Sequence, residues 1–109
     1  MTRVVIGKNP DGSYRQLICS GHAGYAKTGR DIVCASVSVL VINTINALEE
    51  LAGESFQTDC SEEDGFIRCD FKSPLQERSV FLLDAMVYGL MNIQKEYGKK
   101  YLQVEIKEV

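Results

Sequence analysis

Five short segments of the chain alternate apolar and polar residues, and this period of two predicts β-strands. The segments cover residues 3–8, 13–20, 56–60, 66–71 and 102–107. The turn-forming sequence NPDG at residues 9–12 separates the first pair, and residues 61–65 separate the second pair. The pattern therefore predicts two β-hairpins and one later single strand.

Two longer segments repeat apolar residues at helical spacing. The first covers residues 32–52 with Val33, Val37, Leu40, Val41, Ile45, Leu48 and Leu51, and Gly53 follows as a stop signal. Its first half is apolar on almost every side, so we expect this helix to be central and buried. The second helix is predicted to begin in Ser73-Pro74-Leu75-Gln76, which is similar to a capping box with proline first in the helix, and to end at Tyr97.

The resulting order, ββαββαβ, predicts an α+β fold with two layers. We expect a largely antiparallel five-stranded sheet with both helices on one face. At 109 residues and 45% hydrophobic content, the chain is long enough for one core and too short for two. The prediction is a single domain, residues 1–109.

The net charge and the length of the apolar runs limit which partners the protein is expected to bind. The formal net charge is -3, and the longest basic run is Lys99-Lys100, so we expect no direct contact with nucleic acid. The longest apolar run, residues 37–42 with one serine, is far shorter than the roughly 20 residues that span a bilayer. The first twelve residues lack the apolar core of a signal peptide. These features predict a cytoplasmic protein without a membrane partner.

The four cysteines are expected to be reduced thiols, because no secretory signal accompanies them. Cys19, Cys60 and Cys69 fit strand positions and are interpreted as packing residues. No C-x-x-C pair occurs, and the chain has one histidine, so we expect no metal site and no cofactor.

The one histidine, His22, lies on a glycine-punctuated loop that runs into the first helix. Glycines in this loop allow unusual backbone conformations, so we expect residues 22–30 to be mobile without ligand and ordered on binding peptide. Asp31 is a good N-cap, which places Cys34 at about the third helical position. Unpaired backbone amides and the helix dipole favour negative charge there, so a thiol tends towards the thiolate form.

His22 and Cys34 could form a base and nucleophile pair, because a loop of this length can bring imidazole and thiol within roughly 3 Å. A cysteine on an apolar helix is, however, more often a small core residue. Ser38 could line the same pocket, although a bond back to the helix backbone is the stronger expectation. Asp31 could orient the imidazole, but the cap role is favoured. Lys27 could attract an acidic or carbonyl-rich ligand, or simply be solvated.

The sequence GHAGYAKTGRDIVCASVSVL resembles the signature of the bacterial ribosomal-processing cysteine proteases of the Prp family. The match is specific because three parts of the signature occur together at the spacing of the family, namely GHAGYA, G-x-D-I-V-C and A-S-V-S-V. The resemblance implies that Cys34 is the nucleophile and His22 its base, with Gly21 and Asp31 in the surrounding motif. It also implies a homodimer. The implied partner is a peptide: the N-terminal extension, ending in paired phenylalanines, of large-subunit ribosomal protein number twenty-seven.

The loop is then expected to clamp an extended substrate peptide. The predicted substrate-binding positions are Gly21, Ala23, Gly24, Tyr25 and Lys27, with Ala23 and Tyr25 offering apolar contacts. The alternative function is a non-catalytic ribosome-assembly or peptide-binding module in which Cys34 is structural. An exposed, quickly alkylated Cys34 would favour the protease.

The second helix also carries apolar residues outside its core-facing row, namely Phe81, Leu82, Tyr88 and Met91. One sheet cannot cover all of the apolar helix surface, so the pattern favours a two-fold homodimer through the helices.

Overall fold

The computed structural model describes residues 1–21, 31–61, 65–72 and 74–109. The elements follow the predicted order, and each strand begins and ends within one residue of its predicted limits. They are β1 (Thr2–Lys8), β2 (Tyr14–Ser20), α1 (Ile32–Glu50), β3 (Phe56–Ser61), β4 (Phe66–Phe71), α2 (Glu77–Tyr97) and β5 (Leu102–Glu108).

The strands form one five-stranded sheet in the order β3-β4-β2-β1-β5. β1 and β5 are parallel, and the other neighbouring pairs are antiparallel. The register places Val4 opposite Cys19, and Cys19 opposite Ile67, so these side chains share one face. The opposite face carries charged pairs such as Arg3 with Glu105, at 2.7 Å. The predicted fold class is therefore confirmed.

Both helices pack on the apolar face of the sheet. The buried core includes Val4, Ile6, Leu17, Cys69 and Leu102 from the strands, Val33, Val37, Val41 and Leu48 from α1, and Leu83, Met86 and Leu90 from α2. Gly89 brings the helices close together, since a Cβ there would lie 2.7 Å from Leu40 Cδ2. The Tyr14 hydroxyl donates to Asp84 Oδ1 at 2.5 Å, which ties β2 to α2.

The expectation that α1 is central and buried is confirmed on its inner side, where Val33, Val37, Val41 and Leu48 are buried, and is wrong on its outer side. Ile32 and Ile42 are about half exposed, and Val39 is 69% exposed. The two helices lie side by side on one face of the sheet, so α1 is covered by the sheet and by α2 and is open on its outer side. By length and composition α1 could also cross a membrane, but this is weak evidence because core helices meet the same test.

The predicted capping box at the start of α2 is also wrong. The helix begins at Glu77 with Gln76 as N-cap, and Ser73 lies outside the described residues. The cap comes instead from Glu54, in the segment after α1. Its Oε1 accepts from the Gln76 amide at 3.1 Å and from the Ser79 hydroxyl at 2.7 Å. A partner distant in sequence thus fixes where α2 begins.

Candidate active site

The start of α1 holds Cys34 in a defined position. Asp31 has extended backbone geometry, and its Oδ1 accepts a hydrogen bond from the Cys34 amide at 3.0 Å. The predicted N-cap is confirmed, and Cys34 is the third residue of the helix. Since the cap bonds the amide of Cys34 itself, the same contact that begins the helix also orients this residue.

Cys34 is half-buried and faces a pocket of about 310 Å³. The pocket lies where the end of β2, the first turns of α1, the end of β3 and the start of β4 meet. It is lined by Thr2, Cys19, Gly21, Cys34, Val37, Ser38, Ile42, Cys60, Ser61, Gly65, Phe66 and Ile67. This volume falls within the range of small-molecule and side-chain binding pockets.

Two further residues singled out in the sequence, Gly21 and Ser38, line the same pocket as Cys34. Gly21 has φ +85°, and a Cβ there would lie 2.5 Å from the Met1 carbonyl oxygen, so only glycine fits. Ser38 faces the pocket, whereas the serine that bonds back to the helix is Ser36, with its hydroxyl 2.6 Å from the Ile32 carbonyl oxygen. The remaining predicted site residues, His22, Ala23, Gly24, Tyr25 and Lys27, lie outside the described residues.

The sequence interpretation missed the β3–β4 hairpin as a wall of the site. It treated residues 61–65 only as the turn between two strands and Cys60 as a packing residue, but Cys60 is exposed and lines the pocket. The hairpin reaches the site because β4 is the neighbour of β2, with Ile67 opposite Cys19. Alternation identifies strands but does not show which strands are neighbours. The one local signal for this wall was Phe66, an aromatic residue directly after the predicted turn.

All four cysteines are reduced thiols. Cys19 and Cys69 are buried in the core, as predicted for packing residues. Burial raises the pKa of Cys19 to about 11, and the neighbouring Cys34 adds to the rise. Burial raises the pKa of Cys69 to about 12, with smaller contributions from Asp70 and Cys60. Both thiols are therefore protonated at neutral pH.

Within the described ranges, no three His, Cys, Asp or Glu side chains come together as a metal site would require. His22 lies outside those ranges, so the absence of a metal stays a prediction.

A family model for the cysteine protease Prp matches residues 1–103. The chain belongs to the Prp family of cysteine proteases. It is 29% identical over 101 residues to the ribosomal processing cysteine protease Prp of Bacillus subtilis (strain 168), covering 89% of this chain and 90% of that protein. It is 27% identical over 99 residues to the Prp of Staphylococcus aureus (strain NCTC 8325 / PS 47), covering 91% and 93%.

Solved structures agree with this membership. S. aureus Prp with a covalently linked product peptide has a TM-score of 0.92 at 26% identity and covers 98% of this chain and 100% of that chain. The same protease with a substrate peptide has a TM-score of 0.87 at 25% identity, with the same coverage. SMU.848 from Streptococcus mutans has a TM-score of 0.85 at 28% identity and covers 100% and 96%. The resemblance read from the motif is confirmed, and the chain is a Prp cysteine protease.

Proposed function

We propose that this Prp protease removes the N-terminal extension of large-subunit ribosomal protein number twenty-seven, with Cys34 as nucleophile and His22 as general base. The observation that carries the proposal is Cys34, held on the first turn of α1 at the edge of a pocket large enough for a side chain. Two further findings support the proposal. The relatives are named ribosomal processing proteases, and the S. aureus structures contain a product or substrate peptide.

In the proposed mechanism, His22 takes the proton of the Cys34 thiol, and the thiolate attacks the scissile carbonyl. His22 then protonates the departing amine, and water releases the acyl group from sulfur. Asp31 already binds the Cys34 amide, and the Ala35 amide donates to the Asp31 carbonyl. Among the contacts of the described residues, the first-turn amides of Ile32 and Val33 have no such partner, so we propose them as the oxyanion donors.

The pocket beside Cys34 suits an apolar side chain of the substrate. Val37 and Ile42 form one wall, and Phe66 and Ile67 form the facing wall. Aromatic side chains gain most from burial between such walls. The paired phenylalanines implied by the Prp resemblance have this character, so we assign one of them to this pocket.

A second copy of the chain is the proposed cover for the outer side of the helices. Ile32 and Val39 on α1 are exposed, as are Phe81, Tyr88 and Met91 on α2, and each helix repeats them at intervals that keep them on one side. Exposed apolar surface of this extent marks an association site. Because the net charge is -3, we also propose that the protein binds peptide without contacting nucleic acid. A cytoplasmic location, expected from the sequence pattern, is part of the same proposal.

The test is cleavage of the purified ribosomal protein, read as a new N-terminus by mass spectrometry. Cys34→Ala should bind the substrate without cleaving it, and Cys34→Ser should be nearly inactive because a hydroxyl is far less acidic than a thiol. Ser36→Ala, on the outer side of the same helix, is the matched control and should cleave normally. Binding without cleavage by the unmodified protein would instead favour the non-catalytic module.

A further inference from the structure

Two thiols from different elements line the same pocket. Cys34 lies on the first turn of α1, and Cys19 is the next-to-last residue of β2. The side chain of Cys19 belongs to the core face that α1 covers, and Cys34 packs against that core. The strand and the helix thus present two reduced thiols to one cavity of about 310 Å³.

The resting chemistry of the two thiols differs. Burial raises the pKa of Cys19 to about 11, and negative charge on Cys34 raises it further. With its pKa raised this far, Cys19 stays a neutral thiol at neutral pH and does not compete as a nucleophile.

We propose that Cys19 is the resolving thiol for Cys34, so that a hydroperoxide converts the pair into a Cys19–Cys34 disulfide. The disulfide would reversibly block the site and protect Cys34 from irreversible oxidation. The loss of activity rests on the proposed nucleophilic role of Cys34, whereas the formation of the disulfide does not.

The chemistry balances in two steps. The Cys34 thiolate attacks one peroxide oxygen, the O–O bond breaks, and an alcohol or water leaves after protonation, giving Cys34 sulfenic acid. The Cys19 sulfur then attacks the sulfenic sulfur, the S–O bond breaks, and water leaves with the Cys19 proton. The first step also replaces a negative charge by a neutral group, which removes the contribution of Cys34 to the raised pKa of Cys19.

Cys60 is the competing partner, because it lines the same pocket. It lies on β3 at the edge of the sheet and is exposed, whereas Cys19 lies on a central strand beneath α1. The fixed backbone of β2 therefore favours Cys19 over Cys60.

The experiment treats the full chain with a small excess of hydrogen peroxide and identifies the products by mass spectrometry. Trypsin leaves Cys34 and Cys60 on one peptide, because no Lys or Arg occurs between residues 31 and 67, so a glutamate-specific protease is added. We expect an intact mass lower by two hydrogens and a Cys19–Cys34 crosslinked peptide. Peptidase activity, normalised to each protein's own reduced rate, should fall with crosslinking and return with dithiothreitol.

Cys19→Ala and Cys60→Ala are the paired variants. Cys19→Ala should lose activity to peroxide without recovery by dithiothreitol, because its Cys34 proceeds to sulfinic acid. Cys60→Ala should form the crosslink and recover as the parent does. A Cys34–Cys60 crosslink, or sulfinic Cys34 without any crosslink in the parent, would overturn the proposal. If the parent protein formed the crosslink but had no peptidase activity, the proposed function would be rejected, whereas the proposed disulfide would be supported.

Discussion

Replacement of Asp31 separates two roles of one carboxylate at the start of α1. Asp31 is 8% exposed and accepts a part-buried hydrogen bond from the Cys34 amide. Asparagine keeps an oxygen that can accept this bond, whereas alanine removes it. Both substitutions remove the negative charge. A cap role therefore predicts that the two variants differ, and a purely electrostatic role predicts that they agree.

The expected effect on stability follows from that one hydrogen bond. Loss of an N-cap costs about 1 kcal/mol, and a buried amide left without a partner adds to the loss. We expect Asp31→Ala to lower the free energy of unfolding by about 1 to 2 kcal/mol, and Asp31→Asn by only about a few tenths. Urea unfolding followed by circular dichroism should shift its midpoint by roughly 0.5 to 1 M for alanine.

Activity gives a second readout, because the same turn carries Cys34. A loosened first turn should reduce kcat/KM about tenfold in Asp31→Ala, since small displacements of a nucleophile are costly. Asp31→Asn should stay within about threefold of the parent. If Asp31→Asn had normal stability but the low activity expected of Asp31→Ala, capping alone would not explain the role of Asp31. The carboxylate would then act on the reaction itself, for example by orienting His22.

Three further predictions concern other contacts. Burial raises the pKa of Glu54, but hydrogen bonds from Ser79 and Gln76 outweigh it and leave the pKa lowered. A lowered folded pKa means stability that is present at neutral pH and lost on acidification, so the difference in free energy of unfolding between the parent and Glu54→Gln should shrink below about pH 4. Phe81→Glu should convert the proposed dimer to monomer in light scattering at micromolar concentration, and an unchanged mass would move the interface elsewhere. Tyr14→Phe should cost about 1 kcal/mol in urea unfolding, since it removes the bond to Asp84; no change would mean that water replaces that bond fully.

Most of the fold could be predicted because its signals are local. Alternation and helical spacing located every strand and both helices, and Asp31 marked the start of α1 correctly. The start of α2 could not be located this way, because Glu54, which caps it, comes from a different segment. Local patterns also show that α1 is apolar, but they do not show what covers each of its sides. The exposure of Val39 on the outer side was therefore not predicted.

The site could be predicted only along the motif itself. Gly21, Asp31, Cys34 and Ser38 are close in sequence, and the structure brings Gly21, Cys34 and Ser38 to one pocket. The hairpin wall depends on β4 lying beside β2, and no pattern within a strand specifies its neighbour. Cys19 was correctly interpreted as a packing residue, but its position beside Cys34 required the packing of α1 onto β2.

The carboxylate of Glu54 joins the segment after α1 to the first turn of α2. Ser79 is fully buried, so its hydroxyl has no water to replace a lost partner. Loss of Glu54 alone leaves the buried Ser79 hydroxyl without its partner, whereas a joint change of both residues to apolar side chains does not. Across the evolution of the family, positions 54 and 79 should therefore be substituted together rather than one at a time.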